Sequence, residues 1–218
     1  MDEPIHEVLL RSAFVSVTAT LIAAAIGIGL GTALAFARLP GRRLMTAVVN
    51  TGMAVPTVVV GLIVALLLWR DGPLGDLGLI YTVKGMILAQ VLIATPLITG
   101  ITLAAMQLLP GDLPDQLRAL GAGRVQLVLR MWIEARVPLL AAAMAGFGKA
   151  ISEVGAVTIV GGNIHHQTQV MTTAIVEHVG RGQFAPALSY GAVLVALAFV
   201  VNGLLASVRD RGASWARH

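Results

Sequence analysis

Long apolar runs separated by short, arginine-bearing polar segments dominate the chain. Five of them, at 11–37, 44–69, 80–109, 137–160 and 187–208, reach the roughly 20 largely apolar residues that a membrane-crossing helix needs. The third is long enough to tilt or to protrude. A further run, 171–179 (MTTAIVEHV), is apolar but too short to cross, and reads as a re-entrant or pathway-lining piece, with a sixth span as the alternative. The Gly- and Pro-containing stretch 70–79 predicts irregular structure. No repeat, low-complexity tract or separate soluble domain interrupts the pattern. The expected architecture is one all-α polytopic membrane domain over residues 1–218, with five transmembrane helices.

Composition agrees. Of 218 residues 57% are hydrophobic and 12% charged, and the mean hydropathy is +0.86. A soluble domain of this size cannot hide that much apolar surface, so the solvent is a bilayer. A net charge of +4 would suggest nucleic acid in a soluble protein. Here the cations fall in short loops and report topology, so no nucleic-acid partner is expected. If the chain starts outside, ten lie inside: Arg38, Arg42, Arg43, Arg118, Arg124, Arg130, Arg136, Arg209, Arg211 and Arg217. Four lie outside: Arg11, Arg70, Lys84 and Arg181. That asymmetry predicts the N-terminus out and the C-terminus in the cytoplasm. The opening Met1-Asp2-Glu3-Pro4 lacks the basic region of a signal peptide, so the first run reads as a retained span. The absence of cysteine excludes disulfides and cysteine-based metal sites.

One cytoplasmic segment is not a simple turn. Pro110 and Pro114 end the third run and open a new helix over about 114–130, with Asp112 and Asp115 near its N-terminus, where the dipole favours anions. Leu117, Leu120, Val125, Leu127 and Val128 give it an apolar surface, interrupted by Gly121 and Gly123. A glycine within a helix costs about 1 kcal/mol relative to alanine, a cost tolerated where another backbone comes close or the helix turns. Physical chemistry leaves two readings. The helix lies on the inner leaflet with arginines on lipid phosphates, or it docks into a groove on a cytoplasmic partner.

These residues resemble the EAA loop of the permeases of type I ABC importers. Leu120-Gly121-Ala122-Gly123-Arg124 is similar to the family's Leu-Gly-Ala-Ser-Arg core, and Asp115 stands where the family has Glu. Gln116 and Leu117 replace the two alanines, and the closing Val137-Pro138 arrives four residues late, about one helical turn. Downstream, 146–156 (GFGKAISEVGA), 161–164 (GGNI) and 171–175 (MTTAI) resemble the tungstate-type oxyanion branch. The resemblance implies a homodimeric permease of the cell inner membrane, two cytoplasmic ABC ATPase subunits and an extracytoplasmic anion-binding protein. It makes the 114–130 segment a coupling helix, with Asp115, Leu120, Gly121, Ala122 and Arg124 facing the ATPase. Tungstate is the implied cargo, with molybdate or sulfate as alternatives, because tetrahedral dianions of similar size are not ranked by the residues themselves.

Pathway or gate residues are expected in the second and fourth runs. Pro56 interrupts the second, and Thr57 either re-satisfies the carbonyl that proline frees or lines a functional kink. Pro96 after Thr95 invites the same two readings. Lys149 and Glu153, four apart on one expected helix, are costly in a membrane. Either they pair with each other, or Glu153 holds the gate or the dimer partner while Lys149 sets the potential met by an anion. Ser152 and Asn163 complete this set. Gly27, Gly29 and Gly31 are expected to permit close helix packing. His165 and His166 are adjacent with no Asp or Glu nearby in sequence, so no metal site is expected there.

No G-x-x-x-x-G-K-[ST] motif is present, so ATP hydrolysis belongs to another polypeptide, and no catalytic residue or cofactor is expected. Two other classes fit less well. An intramembrane serine protease built on Ser152 lacks G-x-S-x-G and a base beside the serine. A secondary transporter using Glu153 as a proton site lacks an inverted repeat and leaves the cytoplasmic helix without a role.

Overall fold

The computed structural model describes residues 3–36 and 41–214, with side chains described as far as Ser207. Ala37, the expected end of the first run, and the cations Arg38 and Arg217 lie outside the described residues, as do the side chains of Arg209 and Arg211. Three helices are each long and apolar enough to cross a membrane: α1 (Ile5–Phe36), α4 (Val83–Gln107) and α10 (Phe184–Ser214), the last over Phe184–Ser207. Two bent pairs qualify only as pairs. They are α2 (Arg42–Ala54) with α3 (Thr57–Leu68), bent by 103°, and α7 (Arg136–Ile151) with α8 (Gly155–Gly161), bent by 58°. The described residues thus hold three candidate spans, or up to five if each pair counts as one.

α4 is the centre of the bundle and packs along α1, α2, α3, α7 and α8. Its contact with α1 is close because α1 offers glycine there. A Cβ on Gly31 would lie 2.7 Å from both Thr102 Cβ and the Thr99 carbonyl oxygen, and one on Gly27 would lie 2.9 Å from Ile98. Gly29, between them, meets nothing within 4 Å. Only two of the three glycines expected to permit packing do so. Ala23, Ala94, Ile98 and Ala142 join α1, α4 and α7 in one buried cluster. Outward faces carry large apolar side chains such as Phe14, Leu21, Leu66 and Phe199, as lipid requires.

Several hydroxyls within the helices are satisfied locally, while the buried Thr102 hydroxyl of α4 has no partner among the described residues. The hydroxyls of Thr20, Thr32, Thr95 and Thr99 donate to carbonyls one turn back, leaving no free donor toward lipid. Beside Pro96, Thr95 bonds the Val91 carbonyl and not that of Leu92, the one the proline frees four residues back, and α4 continues through the proline. Pro96 also fills the space beside Gly52 of α2, whose added Cβ would meet its ring at 3.0 Å.

Several expected boundaries shift. The first helix starts at Ile5 rather than 11, because Arg11 is held by polar partners instead of ending the helix. The expected helix over 114–130 is two helices, α5 (Leu113–Ala119) and α6 (Arg124–Glu134). Between them Gly121 takes φ +83°, and a Cβ there would touch nothing within 4 Å. Its glycine therefore serves backbone handedness, not close approach. The run 171–179 forms α9 (Met171–Gly180), ten residues spanning about 15 Å, half the thickness of the hydrocarbon core. It is packed on α10 and α1 through Val8, Met171, Ala174 and Tyr190.

Candidate functional site

The two helix breaks meet. Val55 is extended (ψ 131°) and Pro56 follows at φ −57°, the geometry that proline imposes on the residue before it. Val58, in the first turn of α3, lies against Gly155, the first residue of α8, where an added Cβ would be 2.5 Å from Val58 Cγ2. One turn on, Gly61 abuts the Ala156 backbone. The breaks at 55–56 and 152–154 are therefore neighbours, joined where glycine removes side-chain bulk.

Beside the first break is a cavity of about 130 Å³ lined by Gly52, Val55 and Thr57 from the bent pair, Ile93 and Leu97 from α4, and Lys149 from α7. Thr57 and Lys149, two of the residues expected at the pathway or gate, both line it, next to the break at Pro56. The Thr57 hydroxyl makes no hydrogen bond among the described residues, so it does not re-satisfy the carbonyl freed by Pro56. Its own N–H and that of Val58 also lack backbone partners there, since the first N–H groups bonded back to Pro56 are those of Val59 and Val60.

The expected pairing of Lys149 with Glu153 is not what the fold contains. α7 ends at Ile151, so the two residues are not on one helix. Among the described residues no carboxylate lies within 4.0 Å of the lysine. Glu153 is buried, 5% exposed. Its Oε1 accepts from the Ala156 N–H at 2.9 Å, capping α8, and its carbonyl accepts from Thr172 Oγ1 at 2.8 Å, tying the break to α9. Ser152 is exposed and donates to the Gly148 carbonyl at 2.8 Å. Asn163 is elsewhere, in the loop after α8, donating to Glu177 at 2.7 Å.

That loop belongs to a polar network at the end of the molecule where α1 begins. Glu3, its side chain fully buried, binds Arg11 at 2.6 Å and accepts from the His166 N–H at 2.8 Å. Arg11 also donates to the Gln169 carbonyl at 2.7 Å. Glu177 of α9 receives Asn163, Gln169, His165 (3.0 Å) and Arg181 (2.5 Å). Burial works against both carboxylates. The hydrogen bonds and cations around them outweigh it and hold each pKa below its ordinary value, through Arg11 and His166 for Glu3, and through Asn163, His165 and Arg181 for Glu177. The two histidines that looked isolated from carboxylates in sequence are thus brought to them by the fold. Glu3, Glu7 and His166 come within 4.8 Å of one another, but Glu3 is already engaged by a guanidinium. Nothing local signals the bridge between the two halves of this network, because Arg11 and Gln169 are 158 residues apart.

At the α5–α6 turn, Asp115 pairs with Arg118 at 2.7 Å on an exposed face. Leu120 is 85% and Val125 73% exposed. Gly121 and Ala122 line an open hollow with Leu117, Gln126, Arg130 and Glu134, and Arg124 begins α6, exposed. The segment is anchored through Met131, packed against Met106 and Leu139, and by the Trp132 Nε1 bond to Thr32 at 2.9 Å.

Residues 6–211 match the profile of a family described as the binding-protein-dependent transport system inner membrane component. Over 205 residues the chain is 41% identical to a probable anion ABC transporter permease protein of Haloferax volcanii, covering 92% of this chain and 88% of that one. Over 209 residues it is 38% identical to the tungstate uptake system permease protein TupB of Peptoclostridium acidaminophilum, covering 96% and 92%. Among solved structures, the MetNI methionine ABC transporter in inward-facing conformations matches with TM-score 0.74 at 18% identity, covering 97% and 99%, a likeness of fold alone.

Proposed function

The chain belongs to the family of binding-protein-dependent transport system inner membrane components, and on that premise we propose that it is the permease subunit of an ATP-driven importer of a tetrahedral oxyanion, tungstate first. The near full-length likeness to an anion permease and a tungstate permease carries this reading. Hydrolysis falls to separate ATPase subunits and capture of the anion to an extracytoplasmic binding protein, with two copies of the chain enclosing one pathway in the inner membrane. Molybdate and sulfate are the alternative cargoes.

In this reading the α5–α6 turn is the coupling element. An exposed leucine flanked by a left-handed glycine is suited to a groove on a soluble partner, with Asp115, Ala122 and Arg124 around it. The gate lies at the paired helix breaks. Pro56 and Thr57 form one side, and Ser152 with the capping Glu153 forms the other. Asn163 acts at a distance, by fixing the loop between α8 and α9.

The test is uptake by membranes containing permease, ATPase and binding protein, with tungstate, molybdate and sulfate in parallel. Tungstate accumulation that requires ATP is expected. Uptake that persists without ATP and collapses with the proton gradient would instead make the chain a secondary transporter. Gly121→Trp at normal membrane abundance should cut both uptake and binding-protein-stimulated hydrolysis, and unchanged uptake would overturn the coupling assignment.

A further inference from the structure

Lys149 is the one cation among the described residues of the α7–α8 pair beyond Arg136 at its start. It is partly buried and has no ion pair or side-chain hydrogen bond among the described residues. A lone ammonium in such a segment is destabilising unless something solvates it, and the Glu153 carboxylate, which caps α8, does not come within 4.0 Å of it. What Lys149 faces instead is the cavity at the α2–α3 break. Its volume of about 130 Å³ equals that of about four waters at liquid density, the size class of a single tetrahedral oxyanion. No carboxylate lines it. The Thr57 hydroxyl is an unused donor on its wall, and the unpartnered N–H groups that open α3 add positive potential on the same side.

Building on the oxyanion-import reading, we infer that this cavity is a transit site for one oxyanion, held by the Lys149 ammonium and the Thr57 hydroxyl at the helix break. The site is adapted to weak, brief occupancy. One ammonium and one hydroxyl, against apolar walls from Ile93 and Leu97, attract a dianion without enclosing it, and a pathway needs binding weak enough to release. Beyond it, α2 continues toward a hollow lined by Asn50, Thr46, Arg43, Arg42 and Gln107. Asn50 and Arg43 are about 10 Å apart along the helix, so an anion leaving the cavity on this side meets an amide, a hydroxyl and then two guanidinium groups. The bend at Pro56 places both surfaces on one helix and sets the cavity at its turning point.

The test uses the natural absence of cysteine from the chain. Thr57→Cys, in the assembled transporter in membranes, is reacted with anionic, cationic and neutral methanethiosulfonates, and modification is read on the permease by mass. With Lys149 present the anionic reagent should be favoured over the cationic one. Adding Lys149→Gln should lower that ratio by about tenfold while the neutral reagent reacts as before, and Lys149→Arg should restore it. Tungstate should slow the neutral reagent only when residue 149 is cationic. Val55→Cys, on the same cavity, replaces Thr57→Cys if the latter does not assemble. An unchanged ratio in a complex assembled with its ATPase at normal membrane abundance would overturn the site. A wild-type complex that imports none of the three anions would instead overturn the import reading on which the site rests.

Discussion

At the residue scale, the charged groups divide into those the fold consumes and those it leaves available. Glu153 is consumed. Its oxygen caps α8, and losing such a cap costs about 1 kcal/mol. Glu153→Ala should lower the thermal stability of the purified permease, whereas Glu153→Gln keeps an acceptor oxygen and should stay close to wild type. Because Lys149 is not its partner, the double variant Glu153→Ala with Lys149→Met should show the sum of the two single effects to within about 0.5 kcal/mol. A double variant that departs from that sum by more than this would restore the ion-pair reading. The Glu177 carboxylate behaves differently, being embedded among donors that hold its pKa down. A group depressed on folding stabilises the protein above its unfolded pKa, and that contribution is lost as pH falls through the folded value. Thermal stability should therefore fall as the pH drops below about 4. Glu177→Gln should be less stable at neutral pH and show a smaller acid-dependent loss. An identical pH profile in the variant would remove Glu177 from the account.

At the element scale, glycine and proline decide where helices approach and where they stop. Gly31 lets α1 reach α4, with Thr102 and the Thr99 carbonyl where a side chain would stand, while Gly29 faces open space two residues away. Gly31→Val should force the helices apart and lose about 1–3 kcal/mol, as overpacking does. Gly29→Val, on the same helix, should be nearly neutral. Folded yield and melting temperature of the two variants, compared side by side, check the contrast, and equal losses would mean that helix propensity rather than packing is responsible. This pair also shows what the sequence made legible. Apolar runs of about 20 residues located every long helix, because lipid requires length and continuous apolarity. The runs did not reveal which glycines pack, nor that two runs were bent pairs. Pro56 marked one bend, but the break before Gly155 carries no proline and depends on Glu153 folding back onto a new helix start. The Glu3–Arg11 and Glu177 networks were invisible for a different reason. Glu3 and Arg11 meet the loop at 166–169 from the far end of the chain, which no local period reports, and of the Glu177 contacts only the Arg181 pair has a helical spacing. The segment over 114–130 stood out through its glycine-containing core, yet its division into two helices rests on one positive φ at Gly121.

At the scale of the whole molecule, the distribution of charge predicts how the bundle sits in its membrane. α2 has no buried residue and carries Arg42 and Arg43 in its first turn, at the same end of the chain path as the α5–α6 segment with Arg118, Arg124 and Arg130. Arg42 in fact lines a hollow together with Pro114, Asp115 and Arg118, so these basic segments share one end of the bundle. The Glu3–Arg11 and Glu177–Arg181 pairs occupy the end where α1 begins, and there the cations are matched by carboxylates. An excess of Lys and Arg is what holds a loop in the cytoplasm, so the α5–α6 end should face inward and the start of α1 outward. The chain offers no native cysteine to confuse a labelling test. Asp2→Cys and Trp215→Cys, made one at a time, should differ when intact cells are treated with a membrane-impermeant thiol reagent: the first should be modified, the second only after the membrane is opened. Modification of Trp215→Cys from outside would invert the orientation, and with it the placing of the α5–α6 turn against a cytoplasmic ATPase.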